Sequence, residues 1–360
     1  MLFNAGIKLT FVKKMEGIAM NKTKLKILPL AVFSFLSAIL AAANVFAATY
    51  GVFTKVAVNV PGSFSSVVNK VESALNSANW NVVGTTDLSL PKGDIHKSTV
   101  IVATNGVYDK YMVDNGNNPV SAFGLPLRVA VYTTPTQGTV VSMVNLPALA
   151  RTFSGNSYVN YAIKINNMLK HTIMDAVGGK HSNLQYGPML SGRFPVGIGG
   201  GTFPTGSVVQ ISNYSGSTNS NLRGIAKLLK AGIINYGGKW HIVYEISKPS
   251  IGFIEFGVTR NSTESLAIRL ASGIRTTPAY KNPAIDHSPA FPIEILVYRD
   301  GIYTNVALLD EMWRMKYYFA DVGTGAFIKH MGMVAFLENV GVPGLIQSSL
   351  KLMILYGLAA

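Results

Sequence analysis

The sequence predicts an α+β protein made of two tandem modules. Each reads β-α-β-β-β-β-α, an antiparallel sheet with helices packed on one face. Three observations predict this. Pro126-Leu127-Arg128-Val129-Ala130-Val131-Tyr132 recurs as Pro292-Ile293-Glu294-Ile295-Leu296-Val297-Tyr298 at a gapless offset of 166 residues, and a Phe follows each Tyr after twenty-one residues, at Phe153 and Phe319. A stripe of Phe64, Val67, Val68, Val71, Ala74 and Leu75 recurs at an offset of 158, from Leu222 to Ile233. Trp80, ahead of Asn81-Val82-Val83, has a counterpart in Trp240, ahead of His241-Ile242-Val243. Repetition of stripe and strand together marks one supersecondary unit copied end to end.

Residues 1–47 are set apart from the fold. Met20 begins a short basic start with Lys22, Lys24 and Lys26, an uncharged apolar run follows from Ile27 to Ala43, and Val45-Phe46-Ala47 supplies small residues for cleavage. This order is that of a secretory signal peptide with Met20 as its start, and it predicts a periplasmic or secreted protein cleaved near Ala47. The remaining 313 residues keep 25 Lys plus Arg and 16 Asp plus Glu, a net charge of +9. They contain no Cys, which excludes disulfide staples and thiolate chemistry.

In the first module, taken as 48–182, Val52–Val60 alternates as a strand and Pro61-Gly62 ends it. Ser63 is placed to cap a helix whose apolar residues fall at i, i+3, i+4 and i+7. Strands follow over Trp80–Val83, Thr99–Ala103, Leu127–Thr133 and Thr139–Val144, then a long helix over Ser157–Val177. Residues 183–206, rich in Gly and Pro, read as a linker with Gly199-Gly200-Gly201 as its loosest point.

The second module, 207–360, repeats the order. Val208–Ile211 is its first strand, then the Leu222–Ile233 stripe, then strands over Trp240–Tyr244, Phe253–Val258, Ile293–Tyr298 and Ile302–Leu308. Asp300-Gly301 is placed in the tight turn of the last hairpin, which favours a positive-φ residue. A helix is expected over Thr324–Val340. The apolar tail from Gly344 to Ala360 is expected to dock on a sheet or on another copy of the chain, with peripheral membrane contact as the alternative.

The run Gly124 to Tyr132, preceded by Ala103-Thr104-Asn105 at a strand end, resembles the domain of unknown function 302 family. Thr259-Arg260-Asn261 and Phe291-Pro292-Ile293 to Val297-Tyr298 carry a weaker likeness in the second module. The resemblance implies compact α+β domains, similar in order to the TATA-binding-protein-like arrangement, and it implies no activity. Where the family often places Cys, this chain has Leu127 and Thr104, then Ile293 and Arg260. Any thiol or metal chemistry of the family would lack its sulfur here.

Chemistry is sparse. The six histidines show no zinc-site spacing, and His171 and Asp175, at i and i+4 on a helix, read as an ion pair ahead of a metal site. No metal or cofactor is expected. Asp286, His287 and Glu294 form the one candidate acid-base set, in a loop that reads as surface because Pro283 and Pro289 flank the first two. Glu245 and Glu255 are expected to face each other across neighbouring strands. Arg128 and Glu294 hold the same repeat position with opposite charge, as do Tyr132 and Tyr298 with like chemistry, so these four are the candidate ligand-binding residues of an inter-module seam. The leading expectation is binding of a small ligand or protein partner at that seam without catalysis, and a hydrolase or lyase using the second module is the alternative. The positive balance invites an anionic surface. Thinly spread Lys and Arg argue against nucleic acid. A homo-oligomer through the C-terminal tail is a further expectation.

Overall fold

The computed structural model describes residues 49–190, 202–272, 284–322 and 342–359. The signal-peptide segment, Gly199 to Gly201 and the helix expected over Thr324–Val340 lie outside the described residues.

Strand β1 (Tyr50–Val58) leads into helix α1 (Phe64–Ser77), whose N-cap Ser63 accepts a hydrogen bond from the Ser66 amide. The stripe residues Val67, Val68, Val71, Ala74 and Leu75 are all buried, as the 3.6-residue spacing requires of a helix lying on a sheet. Then come β2 (Asn81–Asp87), β3 (Ser98–Thr104), a short helix α2 (Gly106–Met112), β4 (Leu127–Thr134), β5 (Gly138–Val144), a helical turn α3 (Leu146–Leu149) and the long helix α4 (Val159–Val177). The first sheet orders β2-β3-β4-β5-β1, and β6 (Lys180–His181) and β7 (Gln185–Leu190) add antiparallel to β1. The start of the expected linker is therefore a strand.

The second half runs β8 (Val208–Ser215), α5 (Asn219–Asn235), β9 (His241–Lys248), β10 (Phe253–Thr259), α6 (Asn261–Ser272), β11 (Ile293–Asp300), β12 (Tyr303–Leu309), α7 (Glu311–Phe319) and α8 (Val342–Ala359). Its sheet orders β9-β10-β11-β12-β8, the same order as the first. The likeness extends to irregularities. One extra residue bulges from β2 at Val83 and from β9 at Val243; another bulges from β1 at Val56 and from β8 at Ile211. Such bulges re-aim side chains at fixed points of a sheet.

One departure concerns the repeat itself. Val129 pairs with Met143, while Ile295 pairs with Leu308. The second hairpin is thus one residue shorter, closing through Gly301 at φ 57°. The offset of 166 ends there and becomes 165, so Phe319 does not answer Phe153. Asn145 and Asp310 instead share the N-cap position of α3 and α7.

Helix α1 packs on α4 over the first sheet, and α5 packs on α8 over the second. The C-terminal tail forms α8, which lies against β8 of the second sheet and takes on α5 the place that α4 takes on α1. Gly232 and Gly357 allow the approach, since a Cβ on Gly232 would lie 1.7 Å from the Gly357 Cα. The other faces of the two sheets meet, and Thr49–Ala360 forms one compact unit. The exchange is reciprocal. The 3-10 segment Pro119–Gly124 lies against β11 of the second sheet, and the 3-10 segment Ile285–Ala290 lies against β4 of the first.

Candidate functional site

Along β4, Val129 and Val131 alternate with Arg128, Ala130 and Tyr132, so the two sets occupy opposite faces of the sheet. Arg128 meets Glu294 of β11 across the seam, both side chains at 0% exposure. The Arg128 guanidinium also donates to the Tyr318 hydroxyl at 2.5 Å. Removing two charges from water is costly, and only such pairing with further hydrogen bonds offsets it.

Glu255, on β10, lies beside this pair. Its partner is Tyr244, whose hydroxyl donates to Glu255 Oε1 at 2.6 Å. Burial, and then the neighbouring Glu294 carboxylate, raise the Glu255 pKa well above the ordinary carboxylate range. Burial raises that of Glu294 as well, with Arg128 opposing. Three buried polar atoms in this cluster have no hydrogen-bond partner among the described residues: Glu255 Oε2, Glu294 Oε2 and Arg128 Nε. The expectation that Glu245 faces Glu255 fails, because Glu245 pairs with Phe256 and Glu255 with Ile246. Adjacent strand residues point to opposite faces. Glu245 accordingly accepts from Lys230 of α5 at 2.6 Å, on the helix side.

Asp286 and His287 are not on a surface loop. Both are fully buried, because their 3-10 segment is inserted against the first sheet. His287 Nδ1 lies 2.9 Å from Asp286 Oδ1 and its Nε2 lies 3.0 Å from Asp321 Oδ1. Its ring stacks on Phe319 at 5.2 Å, and Tyr186 donates from its hydroxyl to the Asp286 carbonyl at 2.6 Å. The structure thus brings Asp286 and His287 together, whereas Glu294 is engaged by Arg128. Tyr132 is buried on the Arg128 face, and Tyr298 is 8% exposed at the end of β11. His171 and Asp175 are both exposed, and the His171 ring lies 6.3 Å from that of His181.

Sequence reasoning missed several members of the seam. Thr104 donates to Asp109, and Thr259 donates to Glu264, the same strand-end threonine reaching a carboxylate five residues on. Each carboxylate then reaches the other module: Lys248 Nζ lies 3.5 Å from Asp109, and the Ser89 amide donates to Glu264 at 2.7 Å. That repeated Thr-to-acid spacing was a readable signal. Burial pushes Asp109 up to about 6, with Thr104 and Lys248 holding it back. Arg314 grips Glu311 through Nε and Nη2 at 2.9 Å and donates from Nη1 to the Ala290 carbonyl at 2.9 Å.

The protein class that this fold defines is an α+β protein with two antiparallel sheets. Residues 56–176 match the family described as Domain of unknown function DUF302, so the first module carries a DUF302 domain. The second sheet lies outside that match. Among solved structures, the chain is similar to an uncharacterized conserved protein DUF302 from Bacillus stearothermophilus, at 13% identity and a TM-score of 0.29, over 36% of this chain and 97% of that one. No curated protein matches the chain.

Proposed function

We propose that the chain is an exported binding protein without catalytic activity, in which a DUF302 domain and a diverged second copy close on a small polar ligand at their seam. The observation that carries this reading is the set of unpartnered buried atoms Glu255 Oε2, Glu294 Oε2 and Arg128 Nε. An unsatisfied polar atom away from water costs about 1–3 kcal/mol, so three in one place favour a role that repays the cost. With Glu255 protonated, two donors, its hydroxyl and Arg128 Nε, stand beside one acceptor, Glu294 Oε2, which suits a small molecule carrying both oxygen acceptors and an N–H or O–H group. Arg128, Tyr132, Glu294 and Tyr298 would frame it. The shared strand order and both shared bulges support a second copy of the same fold. Export rests on the basic start and apolar run before Ala47.

The test is mass spectrometry of small molecules released on denaturing the natively purified protein, beside its Glu255→Met variant. Met has about the length and volume of a protonated Glu255 and suits a buried site, while it removes the polar group that the ligand would meet. A molecule released by the parent and at least about tenfold depleted from the variant, roughly the worth of one hydrogen bond, is the expected result. Nothing bound to either protein would sink the reading.

A further inference from the structure

The helix layer over the second sheet differs in kind from the layer over the first. In α1 and α4 the outward positions include Ser65, Asn69, Lys70 and Ser73, and Glu72 and Asp175 add negative charge. In α5 and α8 there is no Asp or Glu at all. Helix α8 is apolar nearly all round, with Lys351 as its one charged residue. Leu350, Met353, Ile354 and Gly357 are buried, with Gly357 against Gly232 of α5, whereas Leu352 is 59% exposed, Leu355 48% and Tyr356, whose ring meets that of Tyr236, 48%. On α5, Leu228 is 44% exposed and Ile234 67%. Beside them Arg223 and Lys227 stand exposed.

Exposed apolar side chains among cations, on helices free of carboxylates, fit one kind of partner. We propose that the α5–α8 layer is a peripheral docking surface for an anionic lipid bilayer, independent of the seam. Leu352, Leu355 and Ile234 would enter the boundary between headgroups and acyl chains. Arg223 and Lys227 would lie at the phosphates, with Tyr356 at the interface where amphipathic rings settle. A second copy of this chain fits less well, because a two-fold contact would bring the same uncompensated cations together. No described helix is long and apolar enough to cross a membrane.

The experiment is co-sedimentation of the Thr49–Ala360 unit with vesicles of mixed phosphatidylglycerol and phosphatidylcholine, and with vesicles of phosphatidylcholine alone. Binding to the mixed vesicles is expected, with partition lower by about tenfold or more on the neutral ones, because each of the two basic residues near such a surface counts for roughly a fivefold factor. The pair Leu352→Ser with Leu355→Ser and the pair Arg223→Glu with Lys227→Glu change only exposed positions. Each pair should lower partition by a similar factor. Equal sedimentation of the parent and both variants overturns the proposal. So does an absence of vesicle binding, with or without a dimer in sedimentation velocity that the leucine substitutions dissolve.

Discussion

Asp109 sits at 0% exposure with Thr104 and Lys248 as its partners, and burial holds its pKa at about 6. A carboxyl raised in this way binds its proton more tightly folded than unfolded. Its stabilising contribution is complete below about pH 4, where the unfolded group titrates, and is lost as pH rises through about 6. Moving a carboxyl from about 4 to about 6 is worth about 3 kcal/mol between its two protonation states. Burial moves Glu255, Glu264, Glu294 and Glu311 in the same direction. The melting temperature of the protein should therefore rise on acidification from about pH 7 to about pH 4.5, and Asp109→Asn should flatten that slope. Calorimetry across this range is the check, and a steeper slope in the variant would refute the assignment. Two further substitutions separate the acids of the seam. Glu255→Gln keeps the shape of a protonated acid and should change denaturant stability by less than about 1 kcal/mol. Glu294→Gln strands the Arg128 charge in a dry interface and should cost about 3–5 kcal/mol. Equal losses in urea titrations of the two would argue against a protonated Glu255.

Helices α5 and α8 touch at Gly232 and Gly357, where added side-chain volume has nowhere to go. Gly232→Ala should pry the pair apart and cost about 1–3 kcal/mol, as overpacking does. Gly224, on the same helix, has open space around its Cβ position. Gly224→Ala should instead stabilise by about 0.5–1 kcal/mol through helix propensity alone. Thermal melts of the two variants should move in opposite directions. This contrast also explains what the sequence could reveal. The stripes of α1 and α5 were legible because each has one wet face and one dry face, so the periodicity stands out. Helix α8 is apolar on both sides, its period is erased, and it reads as a featureless tail. Helices α2 and α6 begin directly after a strand and bear no such stripe before the next loop. Glu294 was legible as a seam residue because the repeat sets it opposite Arg128. Asp286 and His287 were misplaced because flanking prolines signal a loop but do not say what the loop lies against, and here it lies against the other module's sheet.

At the scale of the molecule, the two halves are tied by groups that neither can satisfy alone. Arg128 needs Glu294, Asp109 needs Lys248, Glu264 takes the Ser89 amide, and the Ser98 hydroxyl donates to that of Ser288 at 2.7 Å. Parting the modules would leave these buried groups unpaired and expose the apolar faces around them, so partial unfolding gains little entropy for its cost. The halves should therefore unfold in one transition despite their separate sheets. Tryptophan fluorescence can test this, because Trp80 is buried in the first module while Trp240 and Trp313 are buried in the second. A variant keeping only Trp80 and another keeping only Trp240, each with Phe at the remaining sites, report the halves separately. Each substitution changes stability, so each variant's tryptophan curve is compared with its own far-ultraviolet circular dichroism curve. The two probes should coincide in both variants. Adding Glu294→Gln, a change in the second module, should lower the midpoint seen by Trp80 in the first. A Trp80 transition that stays in place while the second module melts earlier would show that the seam does not couple the two halves.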